Sequence, residues 1–457
     1  MQVRQDERAR SDLGDGMSNP AAGPEHPARR RADGRRASRT TGRRAGRTTG
    51  RRAGRSAGRG TSARTGPRTA VTSCAAALVL LAGAAVPARA AAPAREEVCP
   101  GVPVPTVASA VPDTRRTEAA VAYAEEPTTG PGHWTGGDGT YSARLPDGDV
   151  VWIFSDTFLG QVNPDGSRSQ TAEDGRPTPF LNNSFVRTGR GRTTTITGGT
   201  RHDPASVLPP RAPGHWYWAR DGLVLDGRLN AVYSEFERTG PNSFDFRLTG
   251  NVLARFRPDR LSRPESVSPL PSSAGISWGA WLLRDGRHTY VYGVEDRDGQ
   301  RHPHLARVAG TDLLRPWEYL TADGTWSREE SASARLGGAA GVRVSNEFSV
   351  VRHGRVYVLV TQDSREPLAA GVDLAYACSP TGPFGHETTA YRAPEGGPFG
   401  SYGNPNVYTY NPHEHRELGD RRRLVVSYSV NSFAGEDLYR DASIYRPRFV
   451  DITLNPN

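Results

Sequence analysis

The chain has 457 residues, a formal net charge of +9 and no lysine, so all 58 of its basic residues are arginine. It contains 51 glycines and 36 prolines, a share that is typical of many short strands joined by turns. Its mean hydropathy is −0.60, and no apolar run reaches the ~18 residues that a membrane span needs. The composition therefore argues against an integral membrane protein and against a helix bundle.

The positive charge is confined to the start of the chain. Residues 1–90 hold 19 arginines and 6 acidic residues, whereas the remainder carries a net charge of −4. Nucleic-acid binding inferred from charge would rest on this segment alone, and we expect no nucleic-acid partner. Residues 1–69 are rich in arginine and glycine and too poor in apolar side chains to fold, so we expect them to be disordered.

Residues 70–90 have the pattern of a secretory signal peptide. The stretch Ala75–Val86 is apolar, and Ala88–Ala90 forms a small-residue cleavage site. This predicts a secreted, extracellular protein whose mature chain starts with a tail over residues 91–125. An oxidising location permits a disulfide between Cys99 and Cys378, and the alternative is two free thiols.

Residues 126–457 repeat one pattern and are predicted to form a single all-β domain. An apolar strand, a turn that contains glycine, and a second apolar strand recur around Gly148, Gly227, Gly286, Gly354 and Gly419. Five similar units of this length predict a five-bladed β-propeller. A pair of β-sandwiches is the alternative architecture.

The densest chemistry lies in the first predicted hairpin, whose turn centres on Asp147 and Gly148. Paired positions in an antiparallel hairpin have residue numbers with a constant sum, so Asp138 and Asp156 should lie almost opposite each other. Two carboxylates at that spacing raise one pKa, which gives one acid and one nucleophile. Retaining glycosidases need such a pair. The alternative is a simple turn at Asp138 and a loop-capping role for Asp156.

The glycines before Asp138 and after it, at positions 136, 137 and 139, are predicted to let a bulky ligand approach the backbone closely. Further substrate-binding candidates lie at or near predicted inner strand starts, or carry rings that could stack on a sugar: Glu347, Asn346, Asn182, Asn183, Trp134, Tyr141, Trp278, Tyr402 and Asn404.

Two histidine pairs, His302 with His304 and His413 with His415, are spaced as metal ligands on one strand could be. No third ligand is evident for either pair, and the surrounding residues favour solvated loops. We therefore expect no metal site and no cofactor, although a structural cation in the central channel is left open.

The residues Gly136–Tyr141, Trp152–Thr157 and Asn346–Phe348 resemble those of secreted five-bladed propeller glycoside hydrolases. The chain is most similar to the endo-D-arabinanase group, or to a sister group of unassigned activity. The resemblance implies cleavage of the α-linked D-arabinofuranose chains of actinobacterial cell walls with retention of configuration. We also expect the protein to be a monomer. The resemblance implies the roles of nucleophile and acid/base for Asp138 and Asp156 and leaves open which residue takes which role; we expect Asp156 to be the nucleophile and Asp138 the acid/base.

Two other functions remain open on the residues alone. One is an inverting glycosidase that uses Glu347 as its acid, and the other is a propeller that binds glycans without cleaving them. A propeller fold cannot distinguish these functions, because it hosts many of them.

Overall fold

The computed structural model describes residues 96–122, 133–172, 175–297, 299–366 and 368–455. The predicted arginine-rich segment and signal peptide lie outside the described residues. Within them the protein is nearly all β, with two short α-helices. Among these residues no helix has both the length and the apolar character that crossing a membrane requires.

Short strands make up most of the first part of the described chain. The first described elements are β1 (Glu97–Cys99), β2 (Val102–Pro103), β3 (Val107–Pro112) and helix α1 (Thr114–Ala122). The next strands are β4 (Trp134–Gly137), β5 (Tyr141–Arg144), β6 (Val150–Phe154), β7 (Thr157–Leu159), β8 (Phe180–Leu181), β9 (Ser184–Gly189), β10 (Arg192–Ile196), β11 (Gly198–Gly199) and β12 (Pro204–Ala205).

Longer strands make up the middle of the chain: β13 (His215–Leu225), β14 (Arg228–Arg238), β15 (Phe246–Phe256), β16 (Ser266–Leu270), β17 (Ser277–Asp285), β18 (His288–Arg297), β19 (Gln300–Ala309), β20 (Glu318–Leu320) and β21 (Trp326–Ser327). The last elements are β22 (Ser349–His353), β23 (Val356–Thr361), β24 (Gly371–Ala377), β25 (Gly385–Arg392), β26 (Val407–Glu414), β27 (Arg423–Ser432), helix α2 (Gly435–Arg440) and β28 (Arg448–Leu454).

Five antiparallel sheets of four or five strands contain most of these strands. In chain order they are β5-β6-β9-β10, β13 to β16, β17 to β21, β22 to β25, and β26-β27-β28-β3. The smaller sheets are β4-β7-β8, β1-β2 and β11-β12. Most pairs in these sheets join strands that follow each other along the chain, as the repeated strand-turn-strand pattern predicts. The exceptions are the pairs β6-β9 and β28-β3.

The fifth large sheet joins the two ends of the described chain. Strand β3 pairs antiparallel with β28, and Val111 lies opposite Asp451. The residues 91–125 that the sequence sets apart as a tail therefore supply a strand of the last sheet. A disulfide joins Cys99 to Cys378, whose Cα atoms are 5.5 Å apart, and ties β1 to the end of β24. Of the two alternatives that the sequence leaves open, the structure has the disulfide.

Asp-Gly turns connect strands where the sequence predicts them. Leu225 pairs with Arg228, so Asp226 and Gly227 form a two-residue turn in which both φ angles are positive, 49° and 72°. These angles are those of a type I′ turn, whose twist matches that of the flanking strands.

The innermost strands of the five sheets surround a common centre. Strand β13 contacts β5 and β17, and β22 contacts β17 and β26. The circuit closes where Tyr141 of β5 stacks on His413 of β26, with 4.4 Å between ring centroids. The first sheet therefore packs between the second and the fifth, and side chains from several sheets can meet at the centre.

Candidate active site

The first hairpin is interrupted at the two aspartates. Tyr141 pairs with Ile153 and Gly137 pairs with Thr157, so one register runs through both halves. Between them, Asp138 N donates to the Asp156 carbonyl oxygen at 3.1 Å, and Ser155 N donates to the Asp138 carbonyl oxygen at 2.9 Å. The predicted opposition of Asp138 and Asp156 is therefore present in the structure.

Unusual backbone geometry produces this interruption. Gly139 has a φ of 83° and Thr140 a φ of 47°, and a threonine in the left-handed region is strained. A Cβ atom at Gly139 would lie 3.0 Å from Ser155 N. One at Gly136 would lie 2.4 Å from the Tyr445 carbonyl oxygen. These glycines thus accommodate the protein's own backbone, which corrects the prediction that they admit a ligand.

Asp156 accepts two hydrogen bonds on one carboxylate oxygen. Asn182 Nδ2 and Trp218 Nε1 donate to Oδ1 at 2.9 and 2.7 Å. No hydrogen bond from the described residues reaches Oδ2. Burial and the nearby charge of Asp138 raise the pKa of Asp156 to about 7. Because the side chain is partly open to solvent, Oδ2 can meet a ligand.

Asp138 has a different partner. The Tyr410 hydroxyl donates to Asp138 Oδ2 at 2.7 Å. Burial raises the pKa of Asp138, and the bond from Tyr410 works in the opposite direction. The Tyr410 hydroxyl can also accept a hydrogen bond, so it tolerates either protonation state of Asp138.

Glu347 is the third carboxylate at this end of the centre. It is 6% exposed, and burial and the charge of Asp138 raise its pKa well above the ordinary value. Its Oε2 lies 3.7 Å from His413 Nδ1, but burial lowers the pKa of His413 to about 4, so the ring is neutral at neutral pH. Among the described residues, no arginine lies within ion-pair distance of Glu347, Asp138 or Asp156.

Of the other sequence candidates, the structure brings Asn182 to Asp156. Asn346 lies beside Glu347, and the carbonyl oxygen of Asn346 accepts a hydrogen bond from Arg220 at 3.0 Å. Asn183 lies in the interior instead. Its amide bonds the backbone of Leu208 and Tyr217 at 2.8 to 3.0 Å, which leaves no group for a ligand.

Three aromatic candidates belong to the core, and none of them is exposed. Trp134, Tyr141 and Trp278 each have 0% exposure. The Tyr141 hydroxyl donates to the Ala280 carbonyl oxygen at 3.0 Å, and Trp278 Nε1 donates to Glu330 Oε1 at 2.9 Å. This burial corrects the prediction that these rings stack on a sugar. Aromatic residues in strands pack inward unless a polar tip needs water.

Tyr402 and Asn404 lie in a separate region near α2. The Tyr402 hydroxyl bonds Ser443 Oγ at 2.7 Å, and Asn404 Nδ2 donates to Asp437 Oδ2 at 2.7 Å. These bonds hold the segment before β26 against α2 rather than at the carboxylates.

The histidine pairs are not in solvated loops. His302 and His304 lie in β19, and both are buried. His415 follows β26 and bonds Ser142 Oγ at 2.6 Å and Ser427 Oγ at 2.8 Å. Burial lowers the pKa of His304 to about 4 and that of His415 well below its ordinary value. Neutral imidazoles with hydroxyl partners can be buried, which corrects the prediction of solvated loops. Within the described ranges, no group of three or more histidine, cysteine or acidic side chains could hold a metal ion.

The sequence prediction missed three groups beside the aspartates, Trp218, Tyr410 and Tyr445. Trp218 and Tyr410 each lie near the start of an inner strand, two residues after another aromatic side chain, Trp216 or Tyr408. The alternation of aromatic residues there signals a shared strand face, but it does not say which ring faces a carboxylate.

Comparison with known proteins gives a family and a fold. A family model described as "Domain of unknown function (DUF5005)" matches residues 126–454. None of the curated proteins compared matches the chain. A solved structure described as a "putative hydrolase" from Bacteroides ovatus ATCC 8483 aligns with 20% identity and a TM-score of 0.62, covering 75% of this chain and 90% of that one.

A GH43_1 enzyme from Xanthomonas citri aligns with 14% identity and a TM-score of 0.36, covering 74% of this chain and 92% of that one. At these identities the Bacteroides ovatus protein indicates a shared fold only, and the score of the Xanthomonas citri enzyme carries no argument.

Proposed function

Because the chain belongs to the DUF5005 family, a domain of unknown function, we propose its function from the site itself: a secreted glycoside hydrolase that acts by a retaining, double-displacement mechanism. The observation that carries the proposal is the opposed pair Asp138 and Asp156. Both carboxylates have raised pKa values, and no arginine of the described residues neutralises them.

The hydrogen-bond partners of the two aspartates support one assignment of their roles. Asn182 and Trp218 present N–H groups that can only donate, so Asp156 Oδ1 must be an acceptor. These bonds favour the ionised form of Asp156 and leave Oδ2 free as the nucleophile. The hydroxyl of Tyr410 accommodates a protonated Asp138. We therefore assign to Asp138, the acid/base, the proton that the pair shares in the reactive state, in which Asp156 is ionised.

The reaction follows from these positions. Asp156 Oδ2 forms a bond to the anomeric carbon while the bond to the leaving oxygen breaks, and that oxygen takes the proton of Asp138. Water then attacks the anomeric carbon, gives its proton to Asp138, and releases the Asp156 carboxylate. Two inversions at one carbon give net retention.

The remaining parts of the proposal rest on the sequence. The five sheets, taken as blades around a common centre, make a five-bladed propeller with the carboxylates at the start of its inner strands. The signal-peptide pattern before residue 91 supports secretion. The resemblance to endo-D-arabinanases supports D-arabinan of actinobacterial cell walls as the substrate.

An inverting mechanism is the second candidate, and Glu347 is the observation that favours it. Burial and the charge of Asp138 raise its pKa, which favours the protonated form that an acid requires. In that mechanism a carboxylate of the aspartate pair would activate water, and the product would have the opposite anomeric configuration.

The test is incubation of the protein with actinobacterial arabinogalactan, beside α-L-arabinan, xylan and fructan, with the products followed by NMR. Asp156→Asn serves as the matched inactive control. Oligosaccharides with retained configuration, released by the wild type alone, support the proposal. Inverted products transfer the acid role to Glu347. Binding without release by the folded protein would leave a glycan-binding propeller.

A further inference from the structure

Two groups of aromatic side chains begin at the carboxylate pair and extend away from it. The Trp218 cluster lies on the second sheet and comprises Trp216, Trp218, Phe236 and Phe246. The Tyr410 cluster lies on the fifth sheet and comprises Tyr408, Tyr410 and Phe433. Since the first sheet packs between the second and the fifth, the clusters flank the aspartates on two sides.

The Trp218 cluster is continuous from the nucleophile outward. Trp218 donates to Asp156 at 2.7 Å, and its ring centroid lies 4.7 Å from that of Phe236 and 5.0 Å from that of Phe246. Trp216 and Phe236 are buried, whereas Trp218 and Phe246 keep part of their surface exposed. Phe244, in the loop that leads to Phe246, is 60% exposed.

The Tyr410 cluster repeats this arrangement on the other side. Tyr410 donates to Asp138 at 2.7 Å, and its ring lies 5.4 Å from that of Tyr408. Tyr408 stacks on Phe433 with 4.4 Å between centroids and 27° between ring planes. All three rings are partly exposed.

Exposure separates these rings from the protein's core aromatics. Trp134 and Trp278 are 0% exposed and Trp281 is 2% exposed. Trp218, in contrast, is partly open, and it donates its N–H group to Asp156 of the candidate site. Partly open rings beside a polar site provide a flat apolar face and a polar edge together, which suits the face of a sugar ring and its hydroxyl groups.

We propose that the Trp218 cluster and the Tyr410 cluster are sugar-binding subsites on the two sides of the Asp138–Asp156 pair, which hold successive residues of one polysaccharide chain. This proposal rests on the proposed function. Continuity with the carboxylates identifies the occupant, because a chain whose scissile bond lies at the aspartates must place a sugar on each side of them.

Binding rather than turnover provides the test. Asp156→Asn is combined with Phe246→Ala or with Phe433→Ala, and affinity is measured by calorimetry for arabinogalactan and for arabino-oligosaccharides of increasing length prepared from it. We expect each change to weaken polymer binding about tenfold, and the two together about 100-fold, because flat aromatic anchors carry much of such binding. Disaccharide binding should change less.

Two further variants separate stacking from folding. Phe246→Leu keeps an apolar side chain but removes the flat ring, so it should weaken binding at an unchanged Tm. Leu314→Ala is the matched control: Leu314 is 41% exposed and follows the end of β19 that pairs with the start of β18, away from the site.

The outcomes distinguish the two proposals. Hydrolysis by the wild type, with polymer affinity unchanged within twofold in both cluster variants, overturns the subsites and leaves the hydrolase. Binding that depends on both clusters, without turnover of any glycan by the wild type, supports the subsites and overturns the hydrolase. Absence of both binding and turnover overturns both.

Discussion

Two sets of carboxylates lie at the centre of this protein, and they differ in whether an arginine pairs with them. Asp221, three residues beyond Trp218 on β13, is 0% exposed. It accepts N–H groups of Gly222 at 2.7 Å and Leu282 at 2.8 Å, and it pairs with Arg416. Glu347 is also buried, and Asp138 and Asp156 are half-buried, but no described arginine forms an ion pair with any of these three carboxylates.

The nearby charges distinguish Asp221, which has an arginine partner, from the carboxylates that we propose to be catalytic. Arg416 lies with its guanidinium 3.8 Å from the centre of the Trp281 ring, so Asp221 joins the second, third and fifth sheets. Burial raises the pKa of Asp221 to about 6, with Arg416 acting in the opposite direction. No described arginine compensates the charge of the aspartate pair, and the repulsion between the two carboxylates keeps a proton at the site.

The largest expected effect is on catalysis, at Asp156. Asp156→Ala should lower kcat/KM at least about 1,000-fold, because the nucleophile is lost. Added azide should restore turnover by occupying the space of the carboxylate, and it should give a glycosyl azide of configuration opposite to the substrate, as NMR would detect.

Asp138→Ala is the matched comparison for that assignment. With the nucleophile intact, azide should instead replace water in the second step and give a glycosyl azide of retained configuration. Exchange of these two stereochemical outcomes between the variants would reverse the roles of the aspartates.

The next effect is on stability, at Asp221. Asp221→Ala leaves Arg416 without its partner, so the free energy of unfolding should fall by about 3–5 kcal/mol, the usual cost of breaking a buried pair. Urea denaturation measures this fall, and kcat of the folded variant should stay within a few-fold of the wild type. A loss below about 1 kcal/mol would contradict the structural role of the pair.

How far the sequence predicts this molecule depends on the range of the interaction. The Asp-Gly turns and the register of the first hairpin are local, so the opposition of Asp138 and Asp156 follows from counting residues. The pairing of Cys99 with Cys378 was one of two open alternatives, because sequence alone does not show proximity.

Contacts between sheets could not be predicted in the same way. Trp218 and Tyr410 reach the aspartates from other sheets, 62 and 272 residues away in the chain. Strand alternation marks which positions share a face, but not which faces meet. For the same reason the sequence places Trp134 and Trp278 among the rings that could stack on a sugar, whereas both are buried between sheets.

The third effect is on the pH dependence of stability. Asp156 has a pKa of about 7 in the folded protein and an ordinary value of 3.8. Between these pH values the folded state retains a proton that the unfolded state has lost, so the free energy of unfolding should fall as pH rises. With allowance for partial exposure, the fall is about 2 kcal/mol.

Asp156→Asn removes this titration. Denaturation at pH 4, 5.5 and 7 should show the variant gaining stability relative to the wild type as pH rises. Parallel curves for the two proteins would mean that Asp156 titrates in its ordinary range, and would remove the basis for a proton shared by the aspartates.

The smallest expected effect is on the pH profile of kcat/KM, from removal of one hydroxyl group, that of Tyr410. Tyr410→Phe keeps the aromatic ring but removes the donor to Asp138. Because that bond lowers the pKa of Asp138, its loss should raise the pKa and move the alkaline limb of the kcat/KM profile to higher pH. The maximal rate should fall less than about tenfold, since one hydrogen bond contributes about 1 kcal/mol.

Tyr408→Phe is the matched control, because the described hydrogen bonds to Asp138 do not include the Tyr408 hydroxyl. This variant should leave the pH profile in place. A shift in both variants would assign the effect to the packing of the Tyr410 cluster, whereas a shift in Tyr410→Phe alone identifies the hydroxyl as the group that tunes the acid.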